Sequence, residues 1–493
     1  MPDESPKDVK ENKDVKEPKE DKYQIEPEAP PITTEHHITI KGKKLSYTAT
    51  VGMMPMRNDL GEVEAGMGYT AYTVKSDTRR PVTFTFNGGP GSASVWLHLG
   101  AVGPKRVALG DQGMAPPPPH KLVDNEETWL QFSDLVFIDP IGTGFSRPVK
   151  KEDEKKFWGL KGDVESVGKF VLNYLSLYGQ WLSPVFIAGE SYGTTRAAAL
   201  SDYLYTYGVA INGIVLVSSI LNFQTARFTK GNDLPFSLFL PTYAATAWFH
   251  KKVPADLQKK SLATFLAEVE KFVEDEYIPS LQAGNKVPET KRKAIAKKLG
   301  QYCGLDPNYV ELSDIRIEIH RFCKELLRDE RRTVGRLDSR YKGIDGSQVA
   351  ETPEHDPSNS AIGPVFASTM NDYVRESLGY KPTLYYNIFA PGELYKIWDW
   401  GDKVGHPDTA ESLRSTMSKN PFMKIFVASG YYDLATPYYA TQYTLAHMGL
   451  DESVRGNITC KYYEAGHMMY VKADELSQLR KDVEAFYSSA LKK

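Results

Sequence analysis

Apolar positions along this chain recur at two periods, and the alternation between them lays out an architecture. From His37 onward, HITIKG, KKLSYTATVGMM and GMGYTAYTVKS read as strands, with MRNDLGEVEAG as the turn before the third. Short apolar runs then end in glycine-containing loops. RRPVTFTF enters NGGPG, DLVFID enters PIGTGFS, PVFIAG enters ESYG, and INGIVLVSSI forms a fourth buried strand. Between them, DVESVGKFVLNYLSLYG carries Val164, Val167, Phe170, Val171 and Tyr174 at helical spacing, and TTRAAALSDYLYTYG predicts a helix ending at Gly208. Apolar strands that alternate with helices predict an α/β fold. Its sheet is mostly parallel and covered on both faces, because a central parallel strand has no solvent side.

The alternation breaks at about residue 222. Residues 222–415 are charge-rich, and DLQKKSLATFLAEVEKFVEDEY and SDIRIEIHRFCKELLRDERR both predict helices. Strand and helix resume at MKIFVASG, PYYATQYTLAHMG and ITCKYYEAG. A C-terminal helix follows, with Leu476, Leu479, Val483 and Phe486 on one face. The expected organisation is an α/β core over 34–221 and 416–493, interrupted by a helical lid over 222–415. Residues 1–33 are rich in Lys, Asp, Glu and Pro, with almost no large apolar side chains, and predict a disordered charged tail.

Composition narrows the classes. The chain has 493 residues, 60 basic against 63 acidic, and a net charge of −3. Without a basic excess no nucleic-acid partner is expected. Without eighteen consecutive apolar residues no membrane span is expected. The three cysteines, Cys303, Cys323 and Cys460, form neither a disulfide framework nor a zinc pattern. They are expected as thiols, with a local Cys303–Cys323 pair left open. No H-E-x-x-H occurs, and His36 and His37 merely adjoin the tail, so neither metal nor cofactor is expected. The N-terminus has no apolar signal-like region. As written it points to the cytoplasm, with a periplasmic or secreted origin as the alternative if a signal was removed. Nothing in the pattern sets an oligomeric state.

One motif carries chemistry. Gly189-Glu190-Ser191-Tyr192-Gly193 is G-x-S-x-G between an apolar strand and a helix, the setting of a nucleophile elbow. A hydroxyl needs a base to take its proton, and the base needs a third group to fix its tautomer. In this architecture the order is Ser, then Asp or Glu, then His. Asp433 follows the strand MKIFVASG and His467 follows ITCKYYEAG. Both lie in loops at the carboxyl ends of strands, where open α/β sheets bind ligands. Attack on a carbonyl also needs donors for the oxyanion. The backbone amides of Gly89, in NGGPG, and of Tyr192, after the nucleophile, are the candidates.

FNGGPGS, DPIGTGFS, GESYG, SGYYDLATP and AGHMM together resemble the serine carboxypeptidase family of α/β hydrolases, in the family's order from residue 87 to 469. The resemblance implies removal of single residues from peptide C-termini through an acyl-enzyme. Ser191 is then nucleophile, His467 base and acid, and Asp433 its orienter. It also implies that Asn87 and Glu190 receive the terminal carboxylate. Glu190 can donate to it only while protonated, so peptide turnover is expected to favour acidic pH. Three positions depart from the family's pattern. Thr85 stands where a Trp is usual, Ala101 where a further carboxylate-binding Glu is usual, and Ser92 where a Cys often follows. The first two thin the carboxylate clamp. They keep open an esterase, amidase or acyltransferase on the same triad. The third points to a prokaryote-like branch or a reducing compartment. A non-catalytic member with a decayed site is opposed by the intact triad and NGGPG loop.

Overall fold

The computed structural model describes residues 22–392, 394–401 and 405–492. Three antiparallel strands open the sheet: β1 (Ile32–Ile40), β2 (Lys43–Arg57) and β3 (Val63–Thr73). Six parallel strands continue it: β4 (Val82–Phe86), β5 (Asp134–Ile138), β6 (Val185–Ser191), β7 (Gly213–Ser219), β8 (Lys424–Gly430) and β9 (Ile458–Tyr463). The spatial order is β1-β2-β3-β5-β4-β6-β7-β8-β9, with the short strand Arg147–Pro148 also on β3. β3 pairs antiparallel with β5, which is where the meander joins the parallel half.

The central strands are buried on both faces, so alternate residues enter different apolar layers. On one face α1 (Leu160–Leu177) and α2 (Tyr192–Thr206) set Val167, Phe170, Ala197 and Leu200 against Phe84, Ile187 and Ile214. On the other, Leu476, Leu479, Val483 and Phe486 of the C-terminal helix meet Phe186, Val215 and Phe426. Phe186 stacks on Tyr487 at 4.0 Å between ring centroids. A buried phenylalanine of this kind contributes about 3–5 kcal/mol over alanine.

Residues 222–415 divide among four apolar clusters, one of them small: Phe223, Ala390, Leu394 and Trp398 with Trp158 and Tyr192. The helices α3 (Leu234–Phe249), α4 (Leu262–Phe272), α5 (Glu289–Cys303) and α6 (Ile319–Glu325) share their own core around Tyr243, Phe265, Leu299 and Phe322. Tyr432 and Leu434, on either side of Asp433, join it and seat this unit over the sheet. In contrast, α7 (Pro357–Asp372) sends Ile362, Val365 and Phe366 into one sheet-facing layer. α8 (Ala410–Lys419) sends Leu413 and Met417 into the other, and it runs on past residue 415. The core is completed by α9 (Tyr438–Ala446) and α10 (Ala473–Ala490).

Two expectations are corrected. SDIRIEIHRFCKELLRDERR is α-helical only over α6, with a short 3-10 turn at Arg328–Glu330, because Asp314 and Ile315 take positive φ and Glu318 caps the helix by accepting from the His320 and Arg321 amides. Ile315, Ile317 and Ile319 are all buried, so the run before α6 has the two-residue period of extended chain. The second concerns the tail. Residues 1–21 lie outside the described residues, but 22–33 are held on the sheet. The Tyr23 amide donates to the Val149 carbonyl at 3.0 Å, its hydroxyl donates to Glu154 at 2.5 Å, and Ile25 packs on the core. All three cysteines are free thiols, Cys303 and Cys323 buried in the lid cluster. Among the described residues no helix is long and apolar enough to cross a membrane.

Candidate active site

The turn from β6 into α2 places Ser191 at φ 59° and ψ −130°, a conformation that costs an L-residue free energy and marks a tight elbow. The turn closes only because its flanks are small. A Cβ on Gly189 would lie 2.3 Å from the Gly193 carbonyl oxygen, and one on Gly88 would lie 2.4 Å from the Tyr192 amide nitrogen. The NGGPG loop is therefore seated against the amide that follows the nucleophile, which brings both candidate oxyanion-hole segments, Gly89 and Tyr192, to one rim.

Asp433 and His467 meet at that rim. His467 Nδ1 donates to Asp433 Oδ2 at 2.8 Å, and Thr436 Oγ1 lies 3.2 Å from the same nitrogen. Asp433 also accepts from the Ala435 amide at 2.8 Å, the Thr436 amide at 3.0 Å and the Thr436 hydroxyl at 2.6 Å. Burial opposes ionisation of both groups. Their mutual attraction and hydrogen bonding outweigh it, so the Asp433 carboxyl is held below its ordinary range and the His467 imidazole above its own. With Nδ1 taken by Asp433, Nε2 is the nitrogen left for a hydroxyl. Ser191 pairs across the sheet with Ser219, and the neighbouring Ser218 hydroxyl donates to the His467 carbonyl at 2.6 Å. Ser191 Oγ makes no hydrogen bond to His467 among the described contacts, and such bonds are commonly long before substrate arrives.

Glu190 and Asn87 form a second cluster. Glu190 is 3% exposed, and its Oε2 accepts from the Tyr470 hydroxyl at 2.6 Å. Burial pushes its carboxyl up to about 7, against the opposing pull of His467, Tyr470 and the Asn87 side chain. Asn87 Oδ1 accepts from the Leu97 amide at 3.0 Å. Sequence reasoning missed Tyr470, three residues beyond His467 in the AGHMMY run.

It also missed the supports. Arg196 is fully buried in α2. Its Nε donates to Asp163 Oδ2 at 2.8 Å, and its Nη1 donates to the Asn87 carbonyl at 2.7 Å, pinning the NGGPG loop to the elbow helix. The Tyr192 hydroxyl donates to the same Asp163 oxygen at 3.0 Å. The His467 loop is braced by 336–340. The His467 amide donates to the Leu337 carbonyl at 2.7 Å, and the Gly466 amide donates to Asp338, whose carboxylate Arg340 holds. The lone arginine among small residues in TTRAAAL was the available signal for Arg196; nothing local marked the others. Among the described residues no group of three or more His, Cys, Asp or Glu is placed to hold a metal ion.

Comparison with known proteins assigns the family of the chain. The family model described as serine carboxypeptidase matches residues 67–479. Serine carboxypeptidase-like 46 of Arabidopsis thaliana is 22% identical over 396 residues, covering 71% of this chain and 81% of that protein. Pheromone-processing carboxypeptidase KEX1 of Saccharomyces cerevisiae is 37% identical over 123 residues, 23% of this chain and 15% of that one. Among solved structures, a proline iminopeptidase from Mycobacterium smegmatis is 14% identical, with a TM-score of 0.38, covering 90% of this chain and 99% of that one. With the family model spanning most of the chain and the sheet order described above, this α/β hydrolase belongs to the serine carboxypeptidase family.

Proposed function

We propose that this carboxypeptidase releases the C-terminal residue of a peptide through an acyl-enzyme on Ser191. The buried His467–Asp433 pair at 2.8 Å carries the reading, because it fixes the imidazole tautomer that a serine nucleophile requires. Ser191 Oγ attacks the scissile carbonyl carbon while His467 Nε2 takes its proton. The oxyanion is received by the amides of Gly89 and Tyr192. As the C–N bond breaks, His467 returns that proton to the departing amine, and the C-terminal amino acid leaves. Water then attacks the ester, again giving its proton to His467, and the bond to Ser191 Oγ breaks as the proton passes back to it. Asn87 and protonated Glu190 receive the terminal carboxylate. That arrangement binds peptide best below about pH 7, the value to which burial pushes the Glu190 carboxyl.

The second reading, an esterase, amidase or acyltransferase on the same triad, is favoured by Ala101, which is wholly buried and offers no carboxylate. Two measurements separate the readings. Labelling by a fluorophosphonate probe is expected in the wild type and lost in Ser191→Ala. Release of the last residue is expected from blocked dipeptides with a free carboxyl terminus and not from their amides. Equal turnover of amides and free acids would favour the second reading. Absence of labelling would overturn both.

A further inference from the structure

Glu190 immediately precedes the nucleophile, Tyr470 follows the base by three residues, and their side chains meet. Tyr470 lies in the short turn Met469–Val471. It is 2% exposed, and its hydroxyl donates to Glu190 Oε2 at 2.6 Å. The ring fits because residue 100 has no side chain: a Cβ on Gly100 would lie 2.4 Å from Tyr470 Cε2 and 2.8 Å from Cδ2. The next residue, Ala101, is wholly buried and offers no polar group. Burial and the adjacent Glu190 carboxyl hold the Tyr470 phenol well above its ordinary range, so it keeps its proton through neutral pH.

The direction of donation is fixed from one end. The Leu97 amide can only donate, and it gives its proton to Asn87 Oδ1 at 3.0 Å. That leaves the Asn87 amino group, with two protons, for the other hydrogen-bond partners of that side chain, the Tyr470 hydroxyl and Glu190. The Tyr470 oxygen then accepts from Asn87 and passes its own proton towards Oε2. A neutral carboxyl that accepts on Oε2 carries its proton on Oε1.

We propose that Tyr470 is a positioning residue for substrate binding: its hydroxyl occupies Glu190 Oε2 and so leaves the Glu190 proton on Oε1, free to be donated to the terminal carboxylate of a peptide. The inference rests on the carboxypeptidase reading above. The hydroxyl does not supply the protonation. Burial does that, with Asp433 pushing the same way, while His467, Tyr470 and Asn87 pull towards the ionised form. What Tyr470 adds is placement. A proton set on one oxygen before the peptide arrives spares binding the cost of ordering it.

The test uses the full chain, a blocked dipeptide with a free carboxyl terminus, and an activated ester without a carboxylate. In Tyr470→Phe the ring stays on Gly100 and only the hydroxyl is lost. The ratio of kcat/KM for dipeptide over ester is expected to fall about tenfold at acidic pH, the contribution of one hydrogen bond to a charged group. The alkaline limb of the dipeptide profile is expected to move to higher pH, because a donor to ionised Glu190 is gone. Loss of packing alone would lower both substrates together and leave the limb in place. Fluorophosphonate labelling verifies that the variant is folded. Should Tyr470→Phe fail to label, Gly100→Ala, which keeps the phenol but displaces its ring, carries the test on the same two criteria. An unchanged ratio, a loss shared by both substrates, or a limb that stays or moves to lower pH overturns the role of Tyr470 and leaves the carboxypeptidase reading intact. A labelled wild type that turns over amides as well as free acids overturns that reading, and the role of Tyr470 with it.

Discussion

Asp433 and Glu190 are both buried, at 0% and 3% exposure, and both act electrostatically on His467, yet their ionisation is pushed in opposite directions. Asp433 accepts two backbone amides, a hydroxyl and the imidazole, which together replace the water it has lost. Glu190 has the Tyr470 hydroxyl and a weaker contact from Asn87, and burial wins. The lesson is that depth alone does not set a carboxyl's charge; for Asp433 the attraction of His467, together with the donors aimed at the carboxylate, outweighs burial. The division also suits the proposed chemistry. The carboxylate behind the imidazole has to stay ionised to stabilise the imidazolium, while the carboxyl facing a substrate carboxylate has to keep its proton to donate.

Breaking the first half of the comparison is expected to have the largest effect. Asp433→Asn removes the charge and leaves the imidazole without its orienting acceptor. On the proposed triad kcat should fall by roughly 10³–10⁴ for peptides and esters alike. Fluorophosphonate labelling should slow in parallel. Breaking the second half has a smaller and pH-dependent effect. In the wild type, kcat/KM for free-carboxyl peptides is expected to fall about tenfold per pH unit above about 7, as the Glu190 proton is lost. In Glu190→Gln that alkaline fall should vanish, because an amide donates at every pH. A stability change should accompany it. The Glu190 carboxyl titrates higher in the folded chain than its ordinary 4.5, so the folded state binds the extra proton between pH 4.5 and about 7. Stability is therefore lost as pH rises through that window, by about 3 kcal/mol at pH 8. Glu190→Gln should recover most of this in denaturant unfolding at pH 8 and little at pH 4.

The comparison also shows which parts of the site were legible in the amino-acid sequence. The elbow was, because a strand-to-helix turn this tight demands small residues at fixed spacing around Ser191. The order of Asp433 and His467 was, because each follows an apolar run that reads as a buried strand. Their donors were not. Tyr470 meets Glu190 across 280 positions and Arg196 meets the Asn87 carbonyl across 109. No local period encodes such pairs. Only the assembled sheet brings them together. The helix expected across 313–332 failed for a different reason. Its charges suit a helix surface, but Ile315, Ile317 and Ile319 bury at every second position, and two residues at positive φ precede α6. The end of the expected tail followed the same logic, since Tyr23 and Ile25 are the side chains there with apolar surface to bury.

The smallest expected effect tests how finely donor number controls Asp433. Thr436→Val keeps side-chain shape and both backbone donors, and removes only the hydroxyl that reaches Asp433 Oδ2 at 2.6 Å and lies 3.2 Å from His467 Nδ1. Three donors remain, so the carboxylate should stay ionised through neutral pH, with its titration moved upward. Because Oδ2 is the oxygen that also holds the imidazole, the lost hydroxyl should lengthen the acid limb of the pH profile rather than abolish activity. We expect a kcat reduction of a few-fold and a stability loss of about 1.5–3 kcal/mol near pH 7, both shrinking as Asp433 is protonated. A loss as large as that of Asp433→Asn would mean that the hydroxyl, and not the sum of donors, holds the charge.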